Sequence, residues 1–223
     1  PVLQFSISPN NSFDTYHPFP KNGKLSDYLG FSHENKINKL KPLTPTQKSI
    51  ISYGIAHALN YIHKKKLLFN CVNANNIYLD SNFYPLLSNF YSCKKIDDSN
   101  CDKRITKYHL KIDVYAYSII YAALIEPVHL YPPAKSADDF FNRLKKRERP
   151  VLENSTKKQE EILNEMWDWI PRDRPDFDRI LEYFDSGDLL FPGTEMKEFE
   201  CYKKMLNEDK MTVNKISTEN EFL

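Results

Sequence analysis

Polar and apolar residues alternate only at the start of the chain, where Val2-Leu3-Gln4-Phe5-Ser6-Ile7 reads as a strand. A Pro9-Asn10-Asn11-Ser12 turn and a second short extended run follow. From Lys24 the period lengthens: Ser26 precedes a short helix at Asp27-Tyr28-Leu29, and a polar loop runs through Lys41. Thr44-Pro45-Thr46-Gln47 is a capping box with Pro at the first helical position, where the Thr hydroxyl and the Gln amide satisfy otherwise orphaned N–H groups. Ile51, Ile55, Ala58 and Ile62, with Gly54 beside them, then share one helical face. Residues 44–63 are therefore expected to form the longest helix of the core, with those four side chains buried. Lys64-Lys65-Lys66 ends it where positive charge suits the helix dipole.

Short extended pieces are expected at Lys66 to Phe69, Ile77 to Leu79 and Tyr84 to Leu87, and residues 91–110 read as polar and irregular. Asp113 to Leu124 is apolar on nearly every face, as in a buried helix. Beyond a loop with Pro127, Pro132 and Pro133, helices are predicted near Ala137 to Arg147, Lys157 to Trp169 and Asp176 to Phe184, the last closed by Gly187. Thr194 should cap a further helix to about Leu206, docked through Met196, Phe199 and Met205 or Leu206. The last residues look solvated.

Composition narrows the function classes. With 41% apolar and 27% charged residues among 223, a packed core is expected and wholesale disorder is excluded. The formal net charge of +1 supplies no global field toward nucleic acid or an anionic membrane. The cluster Arg143-Leu144-Lys145-Lys146-Arg147 is interrupted by Glu148 and reads as a solvated face. Only five glycines occur, scattered at Gly23, Gly30, Gly54, Gly187 and Gly193, so the chain has neither a Gly-x-Gly-x-x-Gly nor a Walker loop. Cys71, Cys93, Cys101 and Cys201 form no Cys-x-x-Cys pair and lack zinc spacing, which reads as a reduced, cytoplasmic protein. No apolar run is long enough to span a bilayer. Beginning at Pro1 rather than Met, the chain reads as a fragment with sequence upstream.

Four ordered motifs within residues 17–184 carry a resemblance. Lys66-Leu67-Leu68-Phe69-Asn70-Cys71-Val72-Asn73-Ala74-Asn75-Asn76-Ile77-Tyr78-Leu79-Asp80 resembles, without a gap, the protein-kinase catalytic loop His-Arg-Asp-Leu-Lys-Pro-x-Asn-Ile-Leu-Leu-Asp. Ser88-Asn89-Phe90-Tyr91 stands where kinases carry Asp-Phe-Gly, and Lys111-Ile112-Asp113-Val114-Tyr115 is similar to a C-lobe helix beginning Ser-Asp-Val-Tyr. Met166-Trp167 through Pro171, Arg174-Pro175 and Phe177 resembles Cys-Trp-x-x-x-Pro-x-x-Arg-Pro-x-Phe of the tyrosine-kinase-like group. The resemblance implies an α+β protein-kinase-like fold: a mostly helical C-lobe preceded by two remnant N-lobe strands. Its expected divisions are 1–23 for the strands and hinge, 24–186 for the C-lobe, 187–207 for a helical extension and 208–223 for a polar tail. The glycine-rich loop, the strand lysine and the helix glutamate of the family are not matched in these residues.

The resemblance also assigns roles, and several positions depart from them. Cys71 replaces the catalytic Asp that accepts the substrate proton, assistance worth about 10²–10⁴-fold in rate. Asn70 and Asn73 replace the usual Arg and Lys, and Cys71 reads as a small semi-buried residue. Asn89 replaces the metal-binding Asp, while Asn76 matches the second metal ligand and is expected to serve loop hydrogen bonds. Counting back from Asn22-Gly23 places His17 at the gatekeeper and Pro18-Phe19-Pro20 at the hinge, where Pro20 has no N–H for adenine. Asp113 matches the helix-start Asp that holds the catalytic loop, and Trp167 belongs to the core. Arg174 matches the buried Arg that pairs with Ala-Pro-Glu; that tripeptide does not occur between Asn89 and Asp113, so another acceptor is needed.

The resulting expectation is a pseudokinase, a kinase-shaped intracellular signalling module that binds another protein. It is expected to be no enzyme, with no cofactor, no metal, weak or no ATP, no nucleic acid and no membrane partner. The competing expectation is a serine/threonine or tyrosine kinase fragment that binds ATP once joined to an upstream N-lobe.

Overall fold

The computed structural model describes residues 4–7, 13–16, 20–30, 40–96, 103–127 and 136–219. Two strands, Gln4–Ile7 (β1) and Phe13–Tyr16 (β2), pair antiparallel with Gln4 opposite Tyr16. Leu25–Tyr28 forms a single helical turn (α1), joined to the next layer by a bridge between Lys24 and Tyr78.

The centre of the molecule is the helix Pro45–Lys64 (α2). Its capping box is formed: Thr44 Oγ1 accepts from the Gln47 N–H at 3.2 Å, and the Thr44 N–H donates to Gln47 Oε1 at 2.9 Å. Ile51, Ile55 and Ile62 are buried, whereas Ala58 is half-buried at the edge of the apolar face. The helix is not the longest: it has 20 residues, against 23 in Lys103–Ile125 (α3) and 24 in Met196–Glu219 (α7). Both longer helices begin or continue in stretches that read as irregular or frayed. Residues 103–110 and 207–219 are mostly polar and contain no Gly or Pro. Such polar segments propagate a helix once a neighbouring turn is packed. Asp113, expected at a helix start, consequently lies in the middle of α3.

Between α2 and α3 the chain forms short ladders that position one loop. Leu67–Leu68 (β3) pairs antiparallel with Lys94–Lys95 (β6), and Ile77–Leu79 (β4) with Pro85–Leu87 (β5). Ala137–Lys145 (α4), Lys157–Met166 (α5) and Phe177–Asp185 (α6) complete the helical layer, each with a side-chain N-cap from Ser136, Thr156 or Asp176. Buried tyrosines are anchored as well as packed. Tyr117 Oη donates to the Ser52 carbonyl at 3.2 Å, and Tyr121 Oη donates to the Leu189 carbonyl at 2.7 Å while accepting from Gln159 Nε2 at 2.9 Å.

α7 packs back on α2 and α6 through Phe199 and Tyr202, both buried, whereas Met196 is exposed and Met205 and Leu206 are partly covered. The Tyr53 ring meets Phe184, Phe199 and Tyr202 edge-on. Tyr202 can lie this close because residue 54 is glycine: a Cβ there would collide with Tyr202 Oη and come within 2.6 Å of Pro85 Cγ. Thr194 does not cap α7. Its hydroxyl donates to the Phe191 carbonyl at 2.6 Å and accepts from Ser49 Oγ at 2.7 Å, while Thr46 Oγ1 takes the Glu195 N–H. The Glu195 carbonyl receives the first helical N–H groups. Among the described residues, no helix is long and apolar enough to cross a membrane.

Candidate functional site

The loop between β3 and β4 is held from below by Asp113. The Phe69 N–H donates to Asp113 Oδ2 and the Asn70 N–H to Oδ1, both at 2.8 Å. His63 Nε2 at the end of α2 donates to the same Oδ2 at 2.9 Å. Asp113 is buried, so these three donors are what keep an enclosed carboxylate solvated by protein. The grip requires left-handed backbone at Asn70, with φ at 59°, a conformation asparagine tolerates better than most residues. Asn89 sits in the same region at 74°.

Above this anchor, three residues matched to the kinase loops come together. Asn76 Nδ2 donates to both the carbonyl and the Sγ of Cys71 at 3.0 Å, and Asn89 Nδ2 donates to Cys71 Sγ at 3.1 Å. Asn73 caps the 3₁₀ turn Ala74–Asn76: its Oδ1 accepts from the Asn75 N–H at 3.0 Å and its Nδ2 donates to the Cys71 carbonyl at 3.2 Å. Ser88 fastens the second loop to the first, donating its N–H and its hydroxyl to the Asn76 carbonyl at 2.9 Å each. Burial pushes the nearby Cys93 thiol above its ordinary range, with Asp113 and then Cys71 adding to the effect. Cys71, Cys93 and Cys201 are free thiols.

This donor set does not fit the magnesium ion that the family resemblance implies. Magnesium takes hard oxygen ligands, usually with at least one carboxylate among them. Here Asn76 and Asn89 both turn their amide nitrogens toward a sulfur. Asn89 Oδ1 is buried and has no hydrogen-bond partner among the described residues, and as a neutral amide oxygen it brings none of the negative charge that a carboxylate would. Tyr91, at the position of the family's glycine, stands out at 89% exposure.

The remaining expected positions are placed as follows. Trp167 is buried, with its indole N–H donated to Asn164 Oδ1 at 2.9 Å. Arg174 finds backbone acceptors: Nε donates to the Asp168 carbonyl at 2.8 Å and Nη1 to the Lys111 carbonyl at 2.9 Å. Its guanidinium also lies over the Tyr115 ring at 5.0 Å, and burial lowers its pKa. At the hinge, Pro20 accepts the Gly23 N–H on its carbonyl; His17 and Pro18 lie outside the described residues.

Two contributors escaped sequence reasoning. Lys111, buried on α3, returns the Arg174 contact by donating Nζ to the Arg174 carbonyl at 2.7 Å. His63 closes the coordination of Asp113. The signal for Lys111 was its place two residues before Asp113, at the edge of the apolar stretch of its helix, where a buried charge must find a partner; His63 had no comparable signal. Elsewhere, a cavity of about 620 Å³ between α2, α6 and α7 is walled largely by groups that pair with one another, including Lys64 with Asp178 and Lys203 with Asp185.

Comparison with known proteins places this geometry. Residues 16–184 match the family model described as protein tyrosine and serine/threonine kinase. Vascular endothelial growth factor receptor 1 of Mus musculus is 26% identical over 205 residues, covering 82% of this chain and 15% of the receptor. The RGS domain-containing serine/threonine-protein kinase A of Dictyostelium discoideum is 23% identical over 186 residues, covering 77% of this chain and 16% of that protein. Mitogen-activated protein kinase kinase kinase 12 of Rattus norvegicus is 23% identical over 203 residues, covering 82% and 22%. The chain thus spans less than a quarter of the length of these relatives.

These matches correct the expectation that the chain is no enzyme. The family they identify is one of kinases, and the printed names of two relatives are those of kinases. That expectation rests on Cys71, Asn89 and Pro20 together with the unmatched lysine and glycine-rich loop. The match, however, extends over residues 16–184, within which Asp113 holds the loop amides and Arg174 bridges two backbone carbonyls. On that match over residues 16–184, the chain belongs to the family of protein tyrosine and serine/threonine kinases.

Proposed function

We propose that this kinase-family domain acts by binding another protein, as a module of an intracellular signalling assembly. The observation that carries the reading is the closure of the loop cluster on itself. Asn76 and Asn89 both donate their side-chain amides to Cys71 Sγ and so tie the two loops together, while Asn89 Oδ1 stays buried without a hydrogen-bond partner among the described residues. Bound ATP brings roughly four negative charges, which kinases offset with a lysine, two metal ions and the carboxylates that hold them. The neutral groups around Cys71 supply no such charge. The free thiols suit a reducing compartment.

A second reading, phosphoryl transfer to a protein, is favoured by the family match itself. It would draw the phosphate-binding parts from sequence joined to this chain. The two readings separate in one experiment: thermal melting of the chain with ATP and magnesium at millimolar concentration, followed by a labelled-phosphate transfer assay on a longer protein that includes upstream sequence. Ligand at 100 times its dissociation constant would stabilise the fold by ~2.7 kcal/mol, a readily measured shift. The binding reading expects no shift. A magnesium-dependent shift accompanied by label transfer would overturn it in favour of the second.

A further inference from the structure

Two half-buried free thiols, Cys71 and Cys93, are brought to one place by the two loops that meet at the site. The β3–β6 register sets Leu67 opposite Lys95 and Leu68 opposite Lys94. Carried one step further, it puts Cys93 against Phe69, two residues before Cys71. A second path leads to the same neighbourhood. Asn89 Nδ2 reaches Cys71 Sγ at 3.1 Å, and the 3₁₀ turn Phe90–Ser92 returns the chain from Asn89 to Cys93, whose N–H donates to the Phe90 carbonyl at 3.0 Å. Such a turn advances only about 2 Å per residue. The Phe69 and Phe90 rings, one on each loop, meet edge-on with centroids 5.5 Å apart. The charge of Cys71 also bears on the Cys93 thiol. Cys201, by contrast, is exposed on α7, and Cys101 lies outside the described residues.

The surroundings of the Cys71 sulfur suit an oxygen bound to it. Two amide N–H groups face Sγ, from Asn76 at 3.0 Å and from Asn89 at 3.1 Å. Asn89 Oδ1, on the same amide as the second donor, is buried and has no hydrogen-bond partner among the described residues. A hydroxyl carried on the sulfur would accept from the amides and bring that oxygen a donor. We infer that Cys71 is a site of reversible oxidation by a hydroperoxide, with Cys93 as the thiol that resolves it into a disulfide. In the first step a bond forms between Cys71 sulfur and one peroxide oxygen as the O–O bond breaks. Sulfur gives up two electrons, the peroxide takes them, and its second oxygen leaves as water with the thiol proton. In the second step Cys93 sulfur displaces the new hydroxyl, which departs as water with the Cys93 proton. Burial holds the Cys93 thiol above its ordinary range, which keeps it from reacting first. The bond would draw Cys71 Sγ off both amides and join the two loops covalently, whether the domain binds a protein or transfers phosphate.

The test treats the reduced full chain with hydrogen peroxide and counts thiols. Two should be lost per chain and regained with dithiothreitol, without dimers on non-reducing electrophoresis. No Lys or Arg lies between residues 67 and 93, so trypsin leaves both cysteines on one peptide; cleavage before Asp80 separates them and should show them linked until reduction. C93S should halt at the sulfenic acid and carry a dimedone adduct on Cys71, and C71S should form neither bridge nor adduct. Should C71S fail to give a native melting curve, C93S carries the test alone. Intact thiols at peroxide that oxidises glutathione in the same tube, or a C93S adduct anywhere but Cys71, overturns the oxidation site. A bridge from Cys71 to Cys101 or Cys201, or a disulfide-linked dimer, overturns the role of Cys93. None of these readouts involves nucleotide, so they stand apart from the melting experiment above.

Discussion

Replacing Asp113 by alanine tests the frame of the loop directly. The carboxylate accepts from the Phe69 and Asn70 N–H groups and from His63, and its removal leaves all three donors without their acceptor. The Phe69 N–H is buried and cannot recover a partner, whereas Asn70 is exposed and its N–H can turn to water. Hydrogen bonds to a charged group contribute about 1.5–3 kcal/mol each, so Asp113→Ala should cost about 3–4 kcal/mol once the Asn70 loss is discounted. That is a large part of the roughly 5–15 kcal/mol a domain has in total. Asp113→Asn keeps one oxygen for Phe69 and should lose about half as much. Urea denaturation followed by tryptophan fluorescence reads both, as a lowered midpoint at unchanged slope. A midpoint shift in Asp113→Ala equivalent to less than about 1 kcal/mol, or an Asn variant worse than the Ala variant, would refute the assignment of buried donors to this carboxylate.

Gly54→Ala drives a methyl group into Tyr202 and Pro85, so overpacking should destabilise by about 1–3 kcal/mol and speed proteolysis within α7 under native conditions. Arg174→Lys cannot bridge the Asp168 and Lys111 carbonyls together and should lose about 1–2 kcal/mol; a melting temperature equal to that of the unmodified chain would show the bridge to be dispensable. Burial raises the pKa of Tyr117, Tyr121 and Tyr202, so the folded state keeps them neutral while the unfolded chain ionises them at about pH 10. Their contribution is complete below that pH and is lost as pH rises from there toward their folded-state values. Absorbance at 295 nm should therefore show these tyrosines ionising together with alkaline unfolding rather than before it.

Much of the lobe is legible from the chain because local signals and burial agree. The capping box at Thr44 and the stripe of Ile51, Ile55 and Ile62 specify α2 without help, and the loop spacing from Asn70 to Asn76 locates the site. What escaped was decided by partners distant in sequence. Lys103 to Leu110 has no apolar stripe strong enough to announce a helix, yet it continues from the packed turns of α3. Thr194 reads as a cap until Ser49, some 145 positions away, claims its hydroxyl. The mutual contact of Cys71 with Asn76 and Asn89 needs two loops to meet, which no single window of sequence displays.

The seat of α7 over Gly54 also bears on where this protein can be cut. The family match ends at residue 184, which invites a boundary there for expression or for grafting the lobe into a chimera. Such a truncation would strip Phe191, Phe199 and Tyr202 from the rings of Tyr53, Tyr121 and Phe184 and leave an aromatic face open to solvent. Exposed apolar patches of that kind promote self-association. The shortest fragment that keeps this aromatic face covered runs on through Leu206, twenty-two residues past the end of the match, so inherited family boundaries are the wrong scissors for this chain.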